Sequence, residues 1–433
     1  MLTQEQNESL TRVGPGTLMG ELMRRYWMPV VLSWELAEPD GPPLMIRLLG
    51  EDLVAFRQTD GRVGLVGAYC AHRRANLFWG RNEECGLRCV YHGWKFDLDG
   101  NCVDMPSEPE ASNFKDKVRI PSYPTVEAGG VVWAYMGPAA KQPAPPLFEW
   151  TQVPADHRGM TKVLQPCNWL QGLEGGIDSS HTNFLHGGLP PGVNYDDSTV
   201  MGRARNRSLA PNVEVMPTEY GYSYAGIRPV GDEGNYVRAY HWIMPFHQLR
   251  PAQLNAEKPR INGHMWVPID DYNTMVYNLS YTFGTEPMTE RERSLAGSGN
   301  ELGVDVDVTN GFRSFQTAAN DYQIDRQLQK TATYSGIRGT NTQDRAVQES
   351  MGPIADRTLE RLGTTDRAII TARRTLMRAV KTVEDGGDPP GIADSYYKIR
   401  SIEKVLPKDA AWFEALKPDL FQLEEPQALS VPR

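Results

Sequence analysis

The sequence predicts an α+β protein in which an all-β region precedes a larger domain of antiparallel sheet surrounded by helices. Three observations predict it. Residues 45–140 run in short alternating stretches broken by glycine turns, as in LMIRLLGEDLVAFRQTDGRVGLVGAYC, the pattern of short strands. Further on come four strand-length runs with short connections, GYSYAGIRPVG, YVRAYHWIMPFHQL, RINGHMWVPID and NTMVYNLSYTFG, which suggest an antiparallel meander. The tail then turns helical: TDRAIITARRTLMRAV carries its apolar residues at helical spacing. Helices packed on one antiparallel sheet make an α+β domain.

Bulk composition fits this layout. A chain of 433 residues exceeds the usual single core, so two domains are expected. Hydrophobic residues at 40% and aromatics at 9% are those of an ordinary globular protein. A net charge of -9 argues against a nucleic-acid binder, which would carry a basic footprint. No run approaches the ~18 apolar residues of a membrane span. The first residues, MLTQEQNESLTRVG, are polar and lack a signal peptide's apolar core, so a cytoplasmic location is expected.

Taken in order, Thr3 with Gln6 forms a helix-capping pair. It opens an N-terminal helical segment, residues 1–44, expected to pack on the larger domain. The all-β domain is expected over 45–145, with proline-rich AKQPAPPLFEW as its exit, and the larger domain over 146–433. GDPPG at 387–391 reads as a local loop.

Within the β domain stands CAHRRANLFWGRNEECGLRCVYHGW, residues 70–94. Cys70 and His72 are separated by one residue, Cys89 and His92 by two, and sixteen residues lie between His72 and Cys89. Structural zinc accepts Cys and His, but its paired ligands usually stand two or more residues apart. Two opposed loops gripping a two-iron cluster fit better: one iron takes two thiolates, the other two imidazoles. Gly80, Gly86, Gly93 and Gly100 supply turns, and Tyr91 and Trp94 can shield a cluster from water. Cys102 and Cys167 read as small buried hydrophobes. Cys85 is spare, with a structural role expected.

C-A-H-R followed by C-V-Y-H-G-W resembles the Rieske signature of the Rieske non-haem iron oxygenases. By that resemblance Cys70, His72, Cys89 and His92 hold a [2Fe–2S] cluster, and residues 45–145 are the Rieske domain. Such a cluster moves one electron at a time, so a second site is expected. NWLQGLEGGIDSSHTNFLHGG, residues 168–188, holds Glu174, Asp178, His181 and His186. Asp178 and His181 share a helix face at a spacing of three, whereas His181 and His186, five apart, can meet at one ion only where the helix ends or distorts. Two histidines and one distant carboxylate make the facial triad of a non-haem Fe(II) site. The other four histidines, His157, His241, His247 and His264, read as ordinary surface or core residues.

Spacing alone leaves Asp321, Asp325, Asp344, Glu349 and Asp356 open as the third ligand. NTQDRAVQESMGPIADRTLERLG resembles the corresponding stretch of the phthalate-dioxygenase-like branch, as do TRVGPGTLMGELMRRYWMPV and NDYQIDRQLQK. This resemblance, spanning most of the chain, implies Asp344 as the ligand. It also implies that Asp178 bridges His181 to His92 of a neighbouring subunit. Further implied are the oxygenase (α) component of an aromatic ring-hydroxylating system, a homotrimer or pair of trimers, and an NADH-dependent reductase carrying flavin and an iron–sulfur centre. The chemistry is insertion of O2 as a cis-diol, or of one oxygen atom at a C–H or O-methyl carbon.

Phthalate-like substrates carry carboxylates, which arginine binds bidentately. MGRARNRSLA offers Arg203, Arg205 and Arg207. Arg207 is the expected anchor, Ser179 and Ser180 are expected to line the pocket, and Ile243, Met244 and Phe246 supply apolar candidates. Met244 stands where a second basic anchor would be useful, so one carboxylate is expected rather than two. Two readings from other classes stay open. A Rieske ferredoxin would need only the first ~140 residues and hold two irons per chain against an oxygenase's three, and a zinc-stabilised binding module would be colourless.

Overall fold

The computed structural model describes residues 1–190, 195–253, 259–294, 299–392 and 398–421. The described residues form two compact units, one of Val13–Pro146, the other of Met1–Arg12 with residues 147–421.

The N-terminal unit is built from three small antiparallel sheets. One joins Trp27–Leu32, Val131–Tyr135 and Thr125–Ala128, and a second joins Leu44–Leu48, Glu51–Arg57, Val63–Gly67 and Ser122–Tyr123. The third runs Arg81–Glu83, Gly86–Arg88, Lys95–Phe96, Cys102–Asp104. Residues 13–44, expected with the larger domain, lie in this unit. WMPVVL is buried along its whole length and pairs with Val131–Tyr135, Trp27 opposite Tyr135. Only its pairing with Val131–Tyr135 marks this short apolar run as a strand, since a run buried on both faces shows no alternation. Only Met1–Arg12 go with the other unit, where Gln4–Thr11 is a helix opened by a Thr3–Gln6 capping box.

The larger unit centres on a sheet of ten strands. Its main strands are β1 (Arg158–Gln165), β2 (Asn212–Thr218), β3 (Gly221–Pro229), β4 (Asn235–Ile243), β5 (His247–Gln253), β6 (Arg260–Pro268) and β7 (Thr274–Thr282). They lie in the order β2-β3-β4-β5-β6-β7-β1, with Arg313–Ser314 and Val306–Asp307 beyond β1, and Ile402–Leu406 pairs with β4. The four runs read as a meander are β3 to β7, the second run forming both β4 and β5. Four helices matter for the site: α1 (Trp169–Ile177), α2 (Val200–Arg207), α3 (Thr340–Ser350) and α4 (Arg367–Glu384). Ala225, Val237 and Ala239 pack beneath Trp412, Leu416 and Leu420 of the helix Trp412–Leu420. Side chains alternate along a strand, so Arg238 and Tyr240 turn to the opposite face, which carries the cavity. Among the described residues no helix is long and apolar enough to cross a membrane.

Candidate active site

The two Cys-plus-His pairs lie on two loops of matching construction. Cys70 N–H donates to the Ala75 carbonyl (2.9 Å), and Cys89 N–H to the Trp94 carbonyl (2.8 Å). The residue four places after each cysteine donates back to its carbonyl, Arg74 at φ +62° and Gly93 at φ +78°. Both thiols are buried, and the His72 and His92 rings meet edge-on, 4.3 Å between centroids. Trp94 stacks on His72 at 4.5 Å, and exposed Tyr91 packs on His92 at 3.9 Å. His72 Nδ1 is buried without a hydrogen-bond partner. Burial pushes the Cys70 thiol up to about 11, with the neighbouring Cys89 acting in the same direction. Two buried thiols and an unsatisfied imidazole nitrogen are the donor set a cationic cluster satisfies, so the residues fit the group. Cys85 sits exposed at the turn between Arg81–Glu83 and Gly86–Arg88, φ +55°, its N–H on Thr59 Oγ1. Cys102 and Cys167 are buried.

In the larger unit, α1 ends at Ile177 and Asp178 is its C-cap, so the shared helix face expected for Asp178 and His181 does not form. His181–Asn183 make a separate 3₁₀ turn, followed by a tight turn in which Gly187 N–H donates to the Phe184 carbonyl. This break brings the histidines together: His181 Nε2 and His186 Nε2 lie 3.2 Å apart. Asp344 Oδ1 of α3 is 3.5 Å from the first and 3.3 Å from the second. Asp344 is the only one of the five candidate carboxylates that joins them among the described residues.

Both imidazoles are oriented by their far nitrogen. His181 Nδ1 faces Asp178 Oδ2 at 3.2 Å, and Asp178 Oδ1 accepts from Ser180 N–H and Oγ–H. His186 Nδ1 faces Gln343 Oε1 at 2.6 Å, and Gln343 Nε2 donates to the Ile337 carbonyl (2.7 Å). No sequence motif marks Gln343. With the Nδ1 atoms as donors, the Nε2 lone pairs and the Asp344 carboxylate converge as acceptors. Burial works against charge on His181, but Asp178 and Asp344 outweigh it and raise its pKa to about 10. Burial likewise opposes charge on Asp344, yet the two imidazoles hold its carboxyl far below the usual range. The pocket thus demands positive charge, which a divalent cation supplies, and the donor set fits non-haem iron. Glu174, the other acid of the segment, is tied to Arg357 (2.9 Å) and Arg373 (2.6 Å) inside the protein.

These groups open on a cavity of about 410 Å³. Its floor is one face of the sheet, with Gln248, His264 and Asn278 in a single row across β5, β6 and β7. Its roof is α1, at Gly175 and Gly176, and the face of α3 bearing Asn341, Asp344, Arg345 and Gln348. A Cβ on Gly176 would fall 1.9 Å from Trp266, and one on Gly172 2.4 Å from it. The glycines of WLQGLEGGI therefore let α1 close onto β6. His264, read as an ordinary residue, lines the cavity with Nδ1 on Asn278 Oδ1 (2.8 Å), and burial lowers its pKa to about 3, leaving it neutral.

The expected substrate contacts are not at the cavity. Arg207 is exposed, packed at Gly231, because a helix turns ~100° per residue and carries it away from the face of Arg205, which does line the cavity. Ser179 is buried with an unpartnered Oγ, near Gly226. Ile243, Met244 and Phe246 are buried and absent from the lining. Strand alternation aims Ile243 away from the Arg238–Tyr240 face, and Met244 packs near Gly391.

Residues 26–124 match the profile of the Rieske [2Fe-2S] domain, and residues 134–430 that of the LigXa C-terminal domain like family. The oxygenase subunit of phthalate 4,5-dioxygenase from Pseudomonas putida is 40% identical across 100% of this chain and 99% of its own length. That of 3-chlorobenzoate-3,4-dioxygenase from Comamonas testosteroni is 41% identical over 95% of this chain and 97% of its own. The chain belongs to the Rieske non-haem iron oxygenases. As an oxygenase component of this family it is an enzyme whose cofactors are a [2Fe–2S] cluster and a mononuclear iron, with O2 as co-substrate. Its relatives also include the oxygenase subunit of 5,5'-dehydrodivanillate O-demethylase from Sphingobium, 33% identical over 94% of this chain and 86% of its own. The fold is shared with a mutant of NdmA from Pseudomonas putida CBB5, TM-score 0.59 at 19% identity, covering 90% of this chain and 99% of that one.

Proposed function

We propose that this Rieske oxygenase subunit dihydroxylates the ring of a phthalate- or benzoate-like carboxylate. The observation that carries the reading is its near full-length similarity, at 40% and 41%, to two dioxygenase subunits named for aromatic carboxylates. A cavity lined by Arg205, Arg238 and Arg250 supports an anionic substrate. Electrons come from NADH through a separate flavin and iron–sulfur reductase, and the subunit works as a homotrimer or stacked trimers.

Cys70, His72, Cys89 and His92 hold the cluster, and His181, His186 and Asp344 hold the iron. When bound, the iron supplies the position at which O2 is reduced and delivered to carbon. The chain's own residues do the rest. Asp178 and Gln343 keep both imidazoles with Nε2 inward. Trp266 and Val276, with the glycines of α1 above them, wall the ring against the metal site and exclude water. Asp178 connects His181 to His92 of a second copy.

The test is single turnover of the reduced enzyme with aromatic carboxylates and labelled O2, followed by product mass. Both labelled atoms retained in a cis-diol are expected. One labelled atom, or a methyl lost as formaldehyde, moves the enzyme to monooxygenation or O-demethylation, the reading its demethylase relative favours. No product from any carboxylate overturns the substrate class.

A further inference from the structure

The cavity's arginines are not equivalent. Arg345 is committed to the protein, bonding Asn300 Oδ1 (2.6 Å), Ser314 Oγ (3.0 Å) and the Gly299 carbonyl (3.3 Å). Arg238 bonds the Pro251 carbonyl, lies 3.6 Å from Glu403 and stands over the Tyr240 ring. Arg205 lies over the Tyr195 ring, 5.0 Å from its centroid. Arg250 differs from all three: its guanidinium has no hydrogen bond, ion pair or ring contact among the described residues, although it is drawn into the cavity.

Its placement follows from the strand. Gln248 and Arg250 stand two apart on β5 and share the cavity face, and Arg250 pairs in register with Asn262 of β6. The guanidinium enters from the sheet floor, opposite the α3 face that carries Asp344. Asp344 is in contact with His181 and His186; its charge reaches Arg250 across the cavity, but the two form no ion pair, and the guanidinium's donors stay unused. A cation held in a half-enclosed cavity with five unused donors is costly unless an anion meets it.

We infer that Arg250 is the specificity-determining residue that takes the substrate's carboxylate, holding it by a two-pronged contact on the sheet side while the ring reaches toward the His181–His186–Asp344 site. The inference rests on the aromatic-carboxylate reading above and gives it the anchor that Arg207, exposed and outside the cavity, does not provide. Burial pulls the Arg250 pKa downward, and the group nevertheless remains cationic at neutral pH. Its attraction for an anion is strengthened by the partial exclusion of water.

The experiment measures equilibrium binding, without turnover, of benzoate and phthalate and of their uncharged methyl esters to the iron-loaded enzyme. The wild type is expected to prefer acids over esters. Arg250→Gln is expected to weaken acid binding on the order of 10- to 100-fold while leaving the esters unchanged. Arg250→Lys, which keeps the charge without the fork, covers the case of a Gln variant that does not fold. It is expected to lose about tenfold for acids. Wild-type acid preference in either folded variant, or its loss in Arg207→Ala instead, overturns the assignment of Arg250 alone. A wild type that binds no acid overturns the substrate class, and this assignment with it.

Discussion

At the scale of single residues, the metal site depends on which nitrogen each imidazole turns inward. For His186 the choice is made by Gln343, whose amide is itself fixed by the Ile337 carbonyl. Gln343→Leu removes the acceptor and lets His186 place its proton on Nε2, where it cannot ligate. Such orienting partners typically govern metal affinity by about 10- to 100-fold. Gln343→Leu is therefore expected to lose iron to a chelator much faster than the wild type, with the cluster's visible absorption intact, while Gln343→Glu retains it. Equal iron retention in Gln343→Leu would remove this residue from the site. Asp344 was legible only through the Q-D-R-A-V-Q-E-S resemblance, since spacing left five carboxylates open. Its neighbour Gln343 was not, because nothing in a lone glutamine says which face of the chain a histidine will approach. The spacing of the arginines misleads for a related reason. Arg203, Arg205 and Arg207 alternate in sequence as if on a strand, but they lie on α2, whose turn separates them.

Among the elements, the contact of α1 with β6 sets the height of the cavity. Gly172 and Gly176 are one helical turn apart and both face Trp266. Gly176→Ala would drive a methyl into the indole, and overpacking of this kind costs about 1–3 kcal/mol. A lowered melting temperature is expected, with partial recovery when Trp266→Phe is added, because the two changes share one contact. Unaltered melting of Gly176→Ala would mean that α1 does not rest on β6 through these glycines. The meander and the helix of TDRAIITARRTLMRAV were readable because each is long and regular in period, spanning β3 to β7 and α4. The strand Trp27–Leu32 was not. Six residues buried on both faces show no alternation, and periodicity cannot then separate a strand from a buried helix. The glycines of WLQGLEGGI gave no warning either, since their cause is an indole nearly a hundred residues away.

For the molecule as a whole, composition set class and size, and the two Cys-plus-His pairs with the later histidines set the chemistry. The route between the two sites is not legible in either motif. Asp178 uses Oδ1 on Ser180 and Oδ2 on His181, and its side chain keeps 18% exposure. Ser180 N–H and Oγ–H at Oδ1, with His181 N–H and Nδ1 at Oδ2, fill the carboxylate's about four acceptor positions, so an imidazole N–H from outside has to displace the longest of them, His181 N–H at 3.3 Å. If that donor is His92 of another copy, as the resemblance implies, one copy's cluster serves another copy's iron. A chain bearing His92→Ala and a chain bearing His181→Ala are each expected to be inactive when assembled alone. Co-expressed with different tags and purified through both, mixed assemblies are expected to regain part of the activity, since some contacts pair an intact cluster with an intact iron site. Mixed assemblies as inactive as their parents would mean that electrons pass within a single chain, and Asp178 would then be only the residue that orients His181.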